Sequence, residues 1–248
     1  MSLERHKEDW ERLAEADAMW AVLTSPEEKG GAWNADRFFA TGEAEIAAVL
    51  TVADGLRPVA RGRALDFGCG VGRLTRALGV RFETAVGVDI SEAMVAQARR
   101  LNDAFPQCEF LVNDAPHLER FETDSFDFVY SNIVLQHLPS AAEIERYVTE
   151  FLRIVRPEGL VVFGIPAHVA FPYSLQPRRR LYGMLRRLGV SEEWMLRRTP
   201  LTPMRMTVIS EADVRKLLDA HGAVVLEAES VEDGPVRTVR YYVAPTVR

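Results

Sequence analysis

The stretch Ala64-Leu65-Asp66-Phe67-Gly68-Cys69-Gly70-Val71-Gly72-Arg73-Leu74-Thr75 decides the fold. A short apolar run leads into three glycines at alternate positions, and a helical pattern starts directly after them. Alternating glycines let the backbone turn tightly and approach a ligand closely, and the helix that follows presents unpaired N–H groups at its start. The stretch therefore predicts a strand, a loop and a helix that bind a nucleotide-like ligand at the edge of a parallel sheet.

Short apolar runs and helical stretches keep alternating downstream of these glycines. Strands are predicted over 64–67, 85–88, 109–112, 126–130 and 160–164, and helices over 74–78, 93–100, 142–155 and 210–220. Such alternation is typical of βαβ units with helices on both faces of the sheet. Two final strands, 223–229 and 236–243, are close enough to form an antiparallel hairpin at the sheet edge. The predicted fold class is α/β, with a doubly wound, mostly parallel seven-strand sheet.

Two regions lie outside this alternation. Residues 1–60 are predicted to form a helical cap, with one amphipathic helix over 4–24 and a second that starts after Thr41 or Gly42. Residues 61–248 are predicted to form a Rossmann-like domain, in which 166–206 are expected to be an inserted lid. Within the lid, residues 171–205 contain eight arginines and two acids. These arginines favour an acidic substrate or a membrane surface, or they form a solvated face that pairs with the acidic remainder of the chain.

Composition excludes several classes of protein. The 248 residues carry a net charge of −6, a poor match for a nucleic-acid binder. The two cysteines, Cys69 and Cys108, form no CxxC and no zinc-type spacing, so we expect a reducing, cytoplasmic setting, no disulfide framework and no metal. The first ten residues are charged, unlike a signal peptide. No apolar run approaches the ~18–20 residues that span a bilayer.

Two cofactor classes bind glycine loops at this place in a sheet. A nicotinamide dinucleotide needs G-x-G-x-x-G, but Arg73 occupies the last of these positions. The Asp66 carboxylate just before the glycines would also repel a pyrophosphate, whereas it suits the α-ammonium group of a methionine moiety. These residues favour S-adenosylmethionine (SAM) over a dinucleotide.

The chain resembles the class I SAM-dependent methyltransferases of the small-molecule branch, well over residues 63–165 and loosely over 206–248. The segment 65–72 resembles the first motif of that family. The resemblance implies cofactor contacts from Asp66, Gly68, Cys69, Gly70, Gly72 and Arg73. Arg73 is expected to pair either with the cofactor carboxylate or with Asp66.

Later segments follow in the order that the resemblance implies. Asp89 ends the second strand about 20 residues after the glycines, where an acid hydrogen-bonds the ribose hydroxyls. Ile90 and Met94 would flank the adenine. Asn113, Asp114 and Ala115 resemble the third motif, in which the acid contacts the adenine amino group and a backbone N–H donates to the ring.

Ser131, Asn132 and Ile133 begin a segment that resembles the fourth motif. They differ from the Pro-Pro-Tyr type found in DNA and protein-amide N-methyltransferases, which disfavours that branch. His137 follows them. Its imidazole could take a proton from a substrate hydroxyl, because imidazole titrates near neutral pH, or it could pack beside the methionine moiety.

The predicted reaction is methyl transfer from SAM, with S-adenosylhomocysteine (SAH) as product, to a small or medium-sized acceptor. O-methylation in small-molecule biosynthesis is favoured, with an acidic natural product, glycan or lipid intermediate as acceptor. N- or C-methylation is the alternative. A non-catalytic SAM-binding module and a nicotinamide oxidoreductase are alternatives from other classes. No nucleic-acid partner is expected, and a homodimer stays open.

Overall fold

One seven-stranded sheet organises the chain, in a computed structural model that describes residues 3–246. The strands are β1 (Arg63–Phe67), β2 (Thr84–Asp89), β3 (Cys108–Val112), β4 (Phe126–Ser131), β5 (Val155–Val169), β6 (Ala223–Asp233) and β7 (Val236–Pro245). Their order in the sheet is β3-β2-β1-β4-β5-β7-β6. Strands β1 to β5 pair in parallel, and β7 runs antiparallel to both β5 and β6. The predicted fold class, including the C-terminal hairpin at the edge, is confirmed.

Helices cover both faces of this sheet. They are α1 (Leu3–Val22), α2 (Ala35–Leu56), α3 (Arg73–Gly79), α4 (Glu92–Leu101), α5 (Ala141–Ile154), α6 (Pro177–Arg187), α7 (Glu192–Arg198) and α8 (Glu211–Ala220). On one face, Ile46 of α2 and Leu78 of α3 pack with Phe128 of β4. On the other, Phe151 of α5 and Leu218 of α8 pack with Val129 of β4. Strand β4 is buried along its whole length, as expected for a central parallel strand.

The second helix starts earlier than the sequence predicted. Asn34 caps it by accepting a hydrogen bond from the Arg37 N–H at 3.0 Å, so α2 begins at Ala35 rather than after Thr41. Asn is among the strongest capping residues, and this cap offsets the weak helical pattern of the aromatic stretch that follows. Phe38 and Phe39 are buried as helical residues.

Strand β5 is also longer than the predicted 160–164. It starts beside β4, where Val155 pairs with Phe126, and it ends beside β7, where Val169 pairs with Val236. Pairing with two neighbours extends the strand beyond the apolar run that its sequence displays.

Helix α1 changes direction at Asp17, whose backbone is non-helical. The Asp17 carboxylate accepts from the Trp20 N–H at 3.3 Å and from the N–H groups of Gly30 and Gly31 at 2.7 and 2.8 Å. Asp17 therefore caps the last turn of α1 and fixes the loop that follows.

The region predicted as a lid contains α6 and α7, which pack on α1. Tyr182, Met195 and Leu196 form one apolar cluster with Leu13 and Ala14 of α1. Helix α2 instead belongs to the layer on the sheet, so the division of the chain at residue 60 stays a prediction. Among the described residues, no helix combines the length and apolarity needed to cross a membrane.

Candidate functional site

A cleft opens at the carboxyl ends of β1, β2 and β4. It encloses about 850 Å³ of empty space, open solvent included. Neighbours β1 and β4 are the strands from which the sheet grows in opposite directions, and ligands bind at such switch points. The cleft thus lies where the glycine stretch predicted a ligand site.

Most of the predicted site residues meet in this cleft. Those that line it are Gly68, Cys69, Gly70, Arg73, Asp89, Ile90, Met94, Asn113, Asn132, Ile133 and His137. Three strand ends and the loop after β1 bring them together from a span of 70 residues in sequence.

The loop after β1 forms the floor of the cleft. The N–H groups of Gly68 and Cys69 both donate to the Val88 carbonyl of β2, at 2.8 and 2.9 Å. Gly68 and Gly70 have φ angles of +77° and +53°, which favour glycine. A Cβ atom at Gly68 would lie 2.3 Å from Val134, and one at Gly70 would lie 2.3 Å from Val22 of α1. Both glycines are required by conformation and by close packing.

Asp89 links the end of β2 to this loop. Its carboxylate accepts from the Gly70 N–H and from the Ser91 N–H, each at 2.9 Å. Burial raises its pKa to about 6, and the two backbone hydrogen bonds oppose that rise. Each carboxylate oxygen keeps a second lone pair, so Asp89 can accept from a ligand while it holds the loop.

Asp66 does not line the cleft, contrary to the prediction that it faces the cofactor. Successive side chains of a strand point to opposite faces, and the Asp66 carboxylate turns towards α3, where the Thr75 hydroxyl donates to it at 2.6 Å. Burial raises the pKa of Asp66 to about 7. Its position makes it a structural acid beneath the loop.

Gly72, Asp114, Ala115 and Ser131 also lie outside the lining of the cleft. Gly72 precedes α3, and a Cβ there would lie 2.6 Å from the Asn102 amide nitrogen. The exposed Asp114 carboxylate pairs with Lys7 of α1 at 3.1 Å. The Ala115 carbonyl accepts from Asn113 and Tyr147, and the Ser131 hydroxyl donates to the Phe67 carbonyl at 3.1 Å. Their contacts support the walls of the cleft.

Arg73 does not pair with Asp66, one of its two predicted partners. Its guanidinium donates to Glu45 of α2 at 2.9 Å and to the Thr41 hydroxyl at 3.3 Å. Glu45 also accepts from the Tyr130 hydroxyl and from the Asn132 amide, both at 2.7 Å. Glu45 is thus a partly buried junction between α2, α3 and the end of β4. The role of Glu45 could not be predicted from the sequence, because its three partners are 28 to 87 positions away.

His137 faces the cleft with a defined tautomer. Its Nδ1 lies 2.6 Å from the Arg205 carbonyl oxygen. A carbonyl only accepts, so Nδ1 carries a proton, and Nε2 of the neutral ring holds a free lone pair. Burial lowers the pKa of His137 to about 4, which keeps the ring neutral at pH 7.

Helix α1 supplies residues that the sequence analysis missed. Leu3, His6 and Trp10 line the cleft from above, and the Trp10 ring meets His137 edge-on at 5.4 Å between centroids. Burial is the largest cause that lowers the pKa of His6 to about 4, and the Arg205 guanidinium lowers it further. A histidine within an amphipathic helical stretch gives no sequence signal of such a position.

Ile133 is strained at the rim of the cleft. Its φ of +60° is a true outlier for a β-branched residue. Such strain concentrates at functional sites. Among residues 3–246, no group of three or more His, Cys, Asp or Glu side chains is arranged to hold a metal ion.

The part of the chain that builds this cleft matches a known family. A family model described as Methyltransferase domain matches residues 65–163. These residues belong to the methyltransferase domain family. The match runs from β1 into β5 and includes the glycine loop, Asp89, Asn113, Asn132 and His137. The family predicted from the sequence is confirmed for this segment.

Curated relatives are similar to part of this chain. A trans-aconitate 2-methyltransferase from Deinococcus radiodurans is 34% identical over 140 residues, which are 55% of this chain and 50% of that protein. A ubiquinone biosynthesis O-methyltransferase from Paracidovorax citrulli is 33% identical over 113 residues, 45% of this chain and 46% of that protein. The chain therefore spans about half the length of these relatives.

Solved structures share the fold over nearly the whole chain. A magnesium protoporphyrin IX methyltransferase from Synechocystis PCC 6803 with bound SAH has a TM-score of 0.63 and 19% identity, and the match covers 99% of this chain and 100% of that one. At this identity the likeness extends the fold assignment beyond the methyltransferase domain to the N-terminal helices and the lid.

Proposed function

We propose that this chain transfers a methyl group from SAM to a small or medium-sized acceptor, with an oxygen atom as the favoured acceptor. The observation that carries the proposal is the contact between Asp89 and Gly70, which joins the carboxylate at the end of β2 to the glycine loop within the methyltransferase domain. SAM supplies a methyl group that is already activated on a sulfonium. The protein's task is to bind, orient and exclude water.

The residues of the cleft fit this cofactor. The glycine loop offers main-chain atoms where a Cβ has no room. Asp89 can accept from ribose hydroxyls, and Ile90 and Met94 provide apolar surface for an adenine ring.

Helix α1 would separate the reacting groups from water. Leu3 and Trp10 cover the cleft, and Lys7 ties α1 to Glu92 and Asp114 beside the predicted adenine site, at 2.9 and 3.1 Å. Exclusion of water favours transfer to the acceptor over side reactions.

His137 is the proposed proton acceptor for a hydroxyl substrate. Its neutral Nε2 and its place in the cleft suit the removal of a proton as the new C–O bond forms. The similarity to an O-methyltransferase of ubiquinone biosynthesis supports an oxygen acceptor. A nitrogen or carbon acceptor would leave His137 without this role.

Calorimetric titration with SAH, with NAD as the competing ligand, tests the proposal. We expect SAH binding to weaken on the order of 10- to 100-fold in Asp89→Ala, because charge-assisted hydrogen bonds contribute about 1.5–3 kcal/mol each. Asp103→Ala is the matched control. Asp103 is an exposed acid that does not line the cleft, so this variant should bind SAH normally. A preference for NAD, or equal SAH affinity in both variants, would contradict the proposal.

An acceptor screen with labelled SAM tests His137. In His137→Asn we expect unchanged SAH affinity and a rate loss of about 10²–10⁴ with hydroxyl acceptors. Product analysis then identifies the methylated atom. A variant with unchanged rate would remove His137 from the reaction and favour N- or C-methylation.

A further inference from the structure

Helix α6 turns its apolar stripe to solvent. Leu181, Met184 and Leu188, the last at its C-cap, are 42%, 51% and 73% exposed. Their spacing of three and four places them within about 60° of one another around the helix. Surface helices normally turn such a stripe to the core.

The inward side of α6 makes both apolar and polar contacts, and Tyr182 and Leu185 pack in the apolar cluster beneath the helix. Tyr182 is its buried residue, and its hydroxyl donates to Glu192 at 2.7 Å. Arg186 lies 3.9 Å from the same carboxylate. The contacts that hold α6 on the protein therefore lie away from the stripe, and Leu181, Met184 and Leu188 stay exposed.

Arginines flank the exposed stripe. Helix α6 contains five arginines and no acid. Arg178, Arg180 and Arg187 are exposed, and none of them has a carboxylate within ion-pair distance among residues 3–246. Their charge is therefore available to a partner.

The turn before α6 also exposes large apolar side chains. Phe171 is 79% exposed, and Tyr173 and Leu175 are exposed beside it in sequence. We call these three residues, together with Leu181, Met184 and Leu188, the lid patch. A monomeric soluble protein seldom exposes so many large apolar side chains in one segment.

We propose that the lid patch docks on an anionic membrane surface. The apolar stripe would enter the boundary between headgroups and acyl chains, while the arginines keep their guanidinium groups at the phosphates. Charge complementarity selects this occupant, because a symmetric contact with a second copy would bring the same arginines face to face. The inference goes beyond the proposed reaction and does not depend on it.

Cosedimentation with vesicles tests the docking of the full chain. We expect binding to vesicles of phosphatidylcholine with phosphatidylglycerol, little binding to phosphatidylcholine alone, and loss of binding at high salt. Replacing the stripe (Leu181→Gln, Met184→Gln, Leu188→Gln) should abolish binding. Replacing the flanking arginines (Arg178→Gln, Arg180→Gln, Arg187→Gln) should weaken it about fivefold for each charge removed.

Matched controls separate the patch from general effects. Val80→Gln, Val224→Gln and Leu226→Gln remove three exposed apolar side chains elsewhere. Arg100→Gln, Arg146→Gln and Arg215→Gln change the net charge equally at exposed positions. Both controls should bind like the wild type. The proposal is overturned if the wild type ignores anionic vesicles, if either control loses binding as the matched variant does, or if the stripe variants alter only the oligomeric state in analytical ultracentrifugation.

Discussion

Two acids near the cleft, Asp66 and Asp89, differ in what surrounds their carboxylates. Asp89 receives two backbone N–H groups and reaches the cleft, and its pKa rises to about 6. Asp66 receives a single hydroxyl in a fully buried place, and its pKa rises further, to about 7. Burial is the largest cause in both, and hydrogen bonds to the charged form oppose it.

The Asp66→Asn variant tests the burial of that acid. The folded pKa of about 7 exceeds the ordinary 3.8, so between these values the native state binds more protons than the unfolded chain, and wild-type stability falls as pH rises. Asn lacks this penalty and can still accept from Thr75. We expect the variant to gain on the order of 1–3 kcal/mol relative to the wild type between pH 4 and pH 8. Urea unfolding across this range measures the gain, and an offset independent of pH would refute the assignment.

At the scale of elements, α1 acts on α4 as well as on the cleft. The Glu11 carboxylate accepts from the Ser91 hydroxyl and from the N–H groups of Glu92 and Ala93, at 3.0, 2.6 and 3.0 Å. It thus caps a helix that is 80 residues away in sequence. A negative charge at a helix start is also favoured by the helix dipole.

The Glu11→Ala variant should uncap α4 and loosen α1. We expect a loss of about 1–2 kcal/mol in unfolding free energy, because two N–H donors lose their partner. SAH affinity should fall as well, since Ile90 and Met94 flank the uncapped start. Glu15→Ala, an exposed acid on the same helix, is the control in both measurements. Equal stability of the two variants would show that the cap contributes nothing.

At the scale of the whole molecule, one carboxylate joins the N-terminal helix to the lid. Glu192 of α7 is within 4.0 Å of Arg5 and Arg12 of α1 and of Arg186 of α6, and it accepts from Tyr182. Leu13 of α1 and Met195 of α7 also belong to one apolar cluster. The cover over the cleft is therefore a joint structure of α1, α6 and α7.

Replacing Glu192 should weaken this cover without unfolding the sheet. For Glu192→Gln we expect faster amide hydrogen exchange in α1, unchanged exchange in β1 to β5, and a stability loss of roughly 1 kcal/mol, since the network is partly solvent-screened. Glu193→Gln, whose exposed carboxylate pairs with Arg197 one turn away, is the matched control. If α1 exchanges at the same rate in both variants, the cover does not depend on Glu192.

The local sequence determined the fold, the place of the cleft and most of its lining. Alternating glycines between a strand and a helix are typical of a ligand-binding loop. Asp89 ends the neighbouring strand, beside such a loop. The period of the apolar residues predicted the strands and most of the helices because that period is a property of neighbouring residues. Strand β5 is longer and α2 starts earlier than these patterns predicted, because strand pairing determines the length of β5 and the Asn34 cap determines the start of α2.

Only the tertiary structure decided which groups face the cleft and what covers it. The direction of the Asp66 side chain, the pairing of Arg73 with Glu45 and the placement of His6 and Trp10 above His137 depend on helices distant in sequence. The sequence also did not determine which side of α6 is exposed. An amphipathic pattern shows that two faces of a helix differ, but it does not show which face packs on the protein. The contacts of Tyr182 and Arg186 with Glu192, and the packing of Leu185 in the apolar cluster, hold the other side of α6 on the protein.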